Sequence, residues 1–167
     1  MVIRPAAITD LPRLTAIHNH YVAKTHITFD IEPFMPEERE SWFRDHSEGH
    51  RYRLFVAEER SVLIGYATSG RIRPKAAYDT TVEVSIACAP TMVRRGVGTK
   101  LYQALFEAIA NEDINRIVAG IAQPNEPSNA LHEKFGFKRV GLFSAVGRKF
   151  GQYWDVLWME RPLRLGS

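Results

Sequence analysis

The sequence predicts a mixed α/β fold, of the α+β kind, with about seven strands in one mostly antiparallel sheet flanked by about four helices. Three observations predict it. Short β-prone runs and stretches of helical periodicity follow one another along the whole 167 residues. The apolar run Ile117-Val-Ala-Gly-Ile121 follows a helical segment that itself follows a strand, which makes a βαβ unit with parallel strands. A chain of this length with 45% hydrophobic residues can close one core.

The elements follow in order. Val2-Ile3-Arg4 is short and β-prone. Thr9-Asp10 offers an N-cap with Pro12 in the first turn, and Leu11, Leu14, Ile17, Tyr21 and Val22 recur at helical spacing, so about 10–24 reads as an amphipathic helix. Residues 25–35 lack a clean period and read as a loop. Pro36-Glu37-Glu38 opens a second helix that carries Trp42 and Phe43 and closes at Gly49. Residues 54–57 and 62–67 flank a polar turn as an antiparallel hairpin. A polar stretch through Arg73-Pro74-Lys75 leads to a strand over Thr81–Cys88, ended by Pro90. A helix follows with Val97, Leu101, Ala104, Leu105 and Ala108 on one face. After 117–121 a short helix from about Pro127 ends at Phe135-Gly136-Phe137, with Gly136 just past its last turn. Strands over about 138–146 and 152–160, joined around Gly147–Gly151, complete the sheet. No repeat, low-complexity tract or linker interrupts the chain, so 1–167 reads as one domain.

Composition excludes several functions. Lys and Arg total 22 against 19 Asp and Glu, a net charge of +3, and no basic run follows a phosphate backbone. A nucleic-acid role would rest only on the pI of about 9.1, without a pattern of aromatic and basic residues to support it. One cysteine, Cys88, rules out an internal disulfide and fits a reducing compartment. No segment approaches the roughly 18 apolar residues of a membrane span, and Met1-Val-Ile-Arg-Pro-Ala lacks the apolar core of a signal peptide. A cytoplasmic protein with no membrane partner is expected. The six histidines do not assemble a metal site: His18 and His20 are two apart on a helix, and His46 and His50 have no third ligand at zinc-site spacing.

The first chemical feature is Arg94-Arg95-Gly96-Val97-Gly98-Thr99, between a strand and a helix. Glycines allow close approach of an anion, the free amides of a helix start point at it, and arginines suit phosphate. A dinucleotide fingerprint needs a third glycine where Leu101 stands, and a P-loop needs Gly-Lys-Ser/Thr where Gly98-Thr99-Lys100 stands. A pyrophosphate cradle of another kind, or a tight turn that is merely glycine-rich, remains.

The order of elements, Gly96-x-Gly98 after a strand carrying Glu83, and Asn125-Glu-Pro-Ser128 through His132 to Phe137 resemble the GNAT superfamily of acetyl-CoA-dependent N-acetyltransferases. Thr28-Phe29-Asp30, the segment Arg73–Glu83 and the tail Val146–Val156 resemble its phosphinothricin and methionine sulfoximine N-acetyltransferase group. The resemblance runs from about Ile3 to Pro162 and implies the GNAT fold, with its βαβ unit binding the cofactor. It also implies acetyl-CoA as co-substrate, no metal, a small amino-acid-like amine acceptor and a homodimer, for whose contact Trp42, Phe43 and the final strands are candidates. Two residues depart from the pattern. Val93 replaces the usual Gln or Arg at the head of the loop, and Ala87 stands where the group has an aromatic beside the acceptor.

The resemblance also implies roles. Glu83 is the general base that takes the amine's proton, directly or through a water, its alternative being a solvated carboxylate or a partner for Arg73. His132 stands where many members carry a tyrosine near the cofactor sulfur. It is the candidate acid for the thiolate, against an acceptor contact or simple packing. The Ile86, Ala87 and Cys88 backbone pairs with the pantetheine arm, Arg94 to Thr99 hold the pyrophosphate, and Asn125 and Ser128 touch the cofactor or cap a helix. Arg73 and Lys75 suit an anionic acceptor, and Phe29, Tyr78 and Tyr102 wall its pocket, although Tyr102 also reads as core. The alternatives are a GNAT enzyme acting on a peptide N-terminus or polyamine, and a non-catalytic acetyl-CoA-binding module.

Overall fold

The computed structural model describes residues 1–46, 50–92 and 96–164. Seven strands form one open sheet: β1 (Val2–Pro5), β2 (Leu54–Glu59), β3 (Val62–Arg71), β4 (Thr81–Cys88), β5 (Arg116–Gln123), β6 (Lys138–Lys149) and β7 (Gln152–Pro162). Their order across the sheet is β1-β2-β3-β4-β5-β7-β6, and every pairing is antiparallel except β4 with β5. Four α-helices pack on it: α1 (Leu11–Lys24), α2 (Glu40–Arg44), α3 (Val97–Ala108) and α4 (Glu126–Lys134).

The period-2 pattern of β4 distributes the core. Val82 and Val84 face α3, where Leu101, Tyr102, Leu105, Ile117 and Met159 are fully buried. The other sheet face is covered by Leu11, Leu14 and Ile17 of α1 and Phe43 of α2, against Leu54, Val56 and Tyr66. Each fully buried leucine contributes roughly 1.5–3 kcal/mol. Both hairpins turn on paired positive-φ residues, Arg60-Ser61 and Phe150-Gly151, which matches the twist of the flanking strands.

Several local expectations change. Asp10 does not cap α1. Its carboxylate accepts the Ala7 backbone N–H at 2.8 Å and pairs with Arg4 at 2.7 Å, so it closes the preceding 3-10 turn. The expected second helix divides into a 3-10 turn (Pro36–Arg39) and the short α2 ending at Arg44; Gly49, its expected close, lies outside the described residues. The final hairpin turns at Phe150-Gly151 alone, so β6 and β7 are longer than expected. On β5, Ile117, Ala119 and Ile121 are buried as read, but Gly120 is exposed on the other face and packs on Trp158. Phe43 is core and cannot serve a subunit contact.

The loop over 25–35, without period in sequence, is held by side chains. The Asn19 amide donates to the Phe34 carbonyl and accepts its N–H, at 2.8 and 3.0 Å. Lys149, 4% exposed, donates from Nζ to the Thr28 carbonyl at 2.7 Å. Phe29 lies flat on Gly147, where a Cβ would overlap its ring.

Candidate active site

β4 and β5 pair only from Thr81 to Glu83, opposite Arg116 to Val118, and then part. A cleft of about 890 Å³ opens between them. At one end stand Gly96 to Thr99 at the start of α3 and Asn125 and Ser128 at the start of α4. At the other stand His18, Phe29, Arg39, Trp42 and Tyr66. Ile86, Ala87 and Cys88 line the stretch between, their β5-side edge unpaired by any strand.

Gly96 has φ +75°, and a Cβ there would meet open space, so glycine serves the left-handed turn and leaves the approach to α3 clear. Gly98 serves packing, since its Cβ would meet Leu131 at 3.0 Å. The first amides of α3 have no side-chain cap, an arrangement that suits an anion. Arg94, Arg95 and the departure at Val93 lie outside the described residues. The Asn125 side chain accepts the Ser128 N–H at 3.3 Å and so caps α4, its alternative role in the sequence.

Glu83 is half-buried on β4 opposite Gly70. It does not line the cleft. It lines an adjoining cavity of about 510 Å³ with His46, Tyr52, Arg71 and Ser85, and Trp42, Thr68 and Ser85 border both spaces. Burial pushes its carboxyl above the usual carboxylate range, and the Arg73 charge opposes that rise. Arg73, Lys75 and Tyr78 are themselves exposed and line neither space. Phe29 is at the cleft mouth.

His132, the expected acid, lines the cleft with both ring nitrogens engaged. Its Nδ1 lies 2.8 Å from the Ser128 carbonyl, which fixes the proton there, so Nε2 accepts from the Tyr102 hydroxyl at 2.9 Å. Burial lowers its pKa, which favours the neutral ring with its single proton held on Nδ1 against the Ser128 carbonyl. Tyr102, expected in the acceptor wall, lines the cleft from α3 although almost all of it is buried, and burial drives its hydroxyl far above the usual range. Burial also pushes the Cys88 thiol up to about 11, so it is no nucleophile; the Tyr21 hydroxyl donates to the Cys88 carbonyl at 2.5 Å.

Sequence reasoning missed Arg39, His18 and Tyr66. Arg39 stands between Glu38 and Glu40 and reads there as part of a solvated charge run; its spacing of three from Trp42 was the only signal. In the fold its guanidinium lies 4.1 Å over the Trp42 ring. Among the described residues no group of three or more His, Cys, Asp or Glu could hold a metal, and no helix is long and apolar enough to cross a membrane.

The family model of the GNAT acetyltransferases matches residues 14–137. This chain belongs to that family. The acetyltransferase is 54% identical to "Phosphinothricin N-acetyltransferase" of Streptomyces coelicolor, over 96% of this chain and 95% of that protein. It is 33% identical to "L-methionine sulfoximine/L-methionine sulfone acetyltransferase" of Pseudomonas paraeruginosa, over 96% of this chain and 94% of that one. Its fold superposes on a GNAT phosphinothricin acetyltransferase of Sinorhizobium meliloti solved with acetyl-CoA, with a TM-score of 0.93 at 32% identity, covering 99% and 90% of the two chains.

Burial lowers the pKa of His18, His46 and His132, and Arg39 adds to the effect at His18. Below the ordinary histidine value, about 6.5, the unfolded acetyltransferase therefore binds protons that the folded one refuses. Stability is complete above that pH and falls as the solution is acidified through it. Glu83, whose pKa is raised, works in the opposite sense, but as one group against three. The urea midpoint should drop between pH 7.5 and 5.5, and an unchanged midpoint would contradict the neutral, buried state of these rings.

Proposed function

We propose that this enzyme transfers an acetyl group from acetyl-CoA to the primary amine of a small amino-acid-like acceptor of the phosphinothricin or methionine sulfoximine type. The observation that carries the reading is the cleft itself, continuous from the uncapped start of α3 to a cation-bearing end against α1 and α2. Names carried by relatives that span nearly the whole chain support the acceptor class. A polyamine would meet the Arg39 cation at that end of the cleft, which counts against it. The lone, inert Cys88 agrees with a cytoplasmic enzyme.

The residues fit acetyl-CoA. The amides of Val97 to Thr99, with Gly96 clearing their approach, would hold the pyrophosphate, together with Arg94 and Arg95. The unpaired edge of Ile86 to Cys88 would hydrogen-bond the pantetheine arm as a strand does, with Asn125 and Ser128 across the cleft. Once bound, acetyl-CoA supplies a thioester carbonyl and a thiolate leaving group.

Glu83 begins the chemistry by taking a proton from the acceptor's ammonium, which restores the nitrogen lone pair. Because it opens on the adjoining cavity, a water between Trp42, Thr68 and Ser85 would relay that proton. The amine nitrogen then bonds to the carbonyl carbon as β4 amides stabilise the charge gathering on its oxygen. The C–S bond breaks, and the sulfur takes the second proton that nitrogen releases. Glu83 returns the first proton to solvent. An ordinary thiol titrates near 8.5, so its thiolate leaves at neutral pH without a strong acid. Tyr102 and His132 therefore act as positioning residues that lock α3 to α4 in the wall of the cleft. Arg73 acts on Glu83 through its charge, and Lys75 adds to the positive field that draws an anionic acceptor. Phe29 closes the mouth, and Tyr78 stands outside the pocket.

β6 supports a homodimer. It is an edge strand with Val140, Leu142, Phe143 and Val146 all more than half exposed. Sedimentation equilibrium should give twice the chain mass, and Leu142→Lys should shift the mass toward one chain; a monomeric wild type would exclude the dimer.

Thiol release tests the reaction with phosphinothricin, methionine sulfoximine, glutamate, spermidine and a short peptide as acceptors. Turnover should be saturable with one of the first two, and turnover only on spermidine or peptide would replace the acceptor class. Glu83→Gln should lower kcat/KM by about 10²–10⁴-fold and remove the acid limb of its pH profile. A variant that retains neutral-pH turnover would remove Glu83 as the base.

Tyr102→Phe leaves the buried His132 Nε2 without a donor. It should cost about 1–3 kcal/mol of unfolding free energy and leave the alkaline limb of kcat in place. A lost alkaline limb at unchanged stability would return an acid to this pair.

A further inference from the structure

Glu83 is half-buried, and no described residue gives it a hydrogen bond or an ion pair. Across the β3–β4 ladder it faces Gly70, which sets no side chain beside it. Directly opposed residues of an antiparallel pair point to the same face of the sheet. On that face stands His46, whose Nε2 would lie 3.8 Å from a Cβ on Gly70. His46 and Glu83 line the same cavity of about 510 Å³, and it reaches solvent at a rim where Asp45, His50 and Arg71 are exposed. The imidazole is pinned at its other nitrogen: Nδ1 lies 2.6 Å from the Trp42 carbonyl and donates to it. The Ser69 backbone also favours the charged ring, so protonation meets an acceptor that a neutral ring, with one N–H, leaves unmet. Asp45 works in the same sense, while burial and the Arg39 charge oppose it. Arg71 is committed to Asp79 at 3.6 Å and to the Tyr52 hydroxyl.

We propose that His46 is the proton partner of Glu83, joined to it by water in the gap above Gly70, an inference that rests on Glu83 as the base of the reaction above. The proton taken from the acceptor's ammonium sits first on the Glu83 carboxyl. It passes to the bridging water as that water gives one of its own to the His46 Nε2 lone pair, which leaves a carboxylate and an imidazolium. The imidazolium then releases its proton to solvent at the rim of the cavity. Burial raises the proton affinity of Glu83 and lowers that of His46, so two groups of ordinarily different affinity are brought closer together. A proton then crosses between them with little driving force either way. Acceptor and pantetheine fill the cleft during turnover, and the adjoining cavity is the side from which the base discharges. An imidazolium across the gap also holds Glu83 ionised as the pH falls, so His46 sets how far into acid the enzyme keeps its base.

The test follows thiol release with the best acceptor of the panel above, from about pH 5 to 9, in the wild type, His46→Gln, His46→Ala and Gly70→Ala. His46→Gln keeps a donor for the Trp42 carbonyl but carries no proton. It should lower kcat about 10-fold, leave the acceptor KM and the affinity for CoA unchanged, and move the acid limb of kcat up by about 0.5–1 pH unit. Gly70→Ala puts a methyl into the gap at an ordinary contact distance from His46. It should reproduce both effects with the urea midpoint unchanged. His46→Ala should regain turnover with added imidazole, in proportion to the free base present. A structural role for His46 would be met by Gln and would not respond to imidazole. Full turnover with an unmoved acid limb in His46→Gln, or no rescue of His46→Ala, would overturn the partnership while an inactive Glu83→Gln leaves the base in place. If Glu83→Gln keeps its turnover, or no acceptor reacts, the base reading falls and takes the partnership with it. Should either His46 variant not fold, Gly70→Ala decides alone.

Discussion

The functional architecture depends on how briefly β4 and β5 stay together. Their parallel ladder runs only from Thr81–Arg116 to Glu83–Val118, and beyond it each strand follows a different neighbour. β4 remains bonded to β3 as far as Cys88–Gly65, and β5 remains bonded to β7 as far as Gln123–Asp155. A sheet whose centre opens must leave backbone groups unpaired at the opening, and such groups are costly unless a ligand or water satisfies them. The same separation places the starts of α3 and α4 on one side of the gap and the α1–α2 face on the other. One geometric event thus creates the cleft, its polar edge and the proximity of two chemically different ends.

Charge is divided unequally between those ends. Toward α3 the polar groups are main-chain amides at a helix start, neutral donors that impose little desolvation cost. Toward α1 and α2 the lining polar groups are side chains, the buried Arg39 and Tyr66 and the half-buried His18, and Lys149 is buried against Thr28. Lys149 is spent on holding the Thr28 carbonyl, and His18 on Asp30, which fixes the irregular 25–35 loop over the cleft. Arg39 lies over Trp42 and shares a side-chain hydrogen bond with Tyr66. Its Nη1 alone is buried without a partner, where buried polar groups in a folded protein are normally satisfied.

Much of this was legible beforehand. Gly96 and Gly136 mark a helix start and a helix end because only the left-handed region fits there, and both have positive φ in the fold. The alternation in Thr81–Cys88 and the apolar run at 117–121 gave a strand pair whose connection, α3, dictated the parallel direction. Less visible were contacts between side chains distant in sequence. Tyr102 and His132 are 30 residues apart, and their hydrogen bond, which engages His132 Nε2, exists only because α3 packs against α4.

The sequence by itself determined the order of elements, the glycine-marked start of α3 and the presence of Glu83 on a central strand, because local sterics and periodicity act on neighbouring residues. Tertiary structure alone decided which charges leave water. Arg39, flanked by two glutamates in the chain, is buried because packing turns Phe43 of α2 into the core and carries the preceding turn onto Trp42 and the sheet. Desolvation depends on everything that surrounds a group, and residues far apart in the chain supply those surroundings.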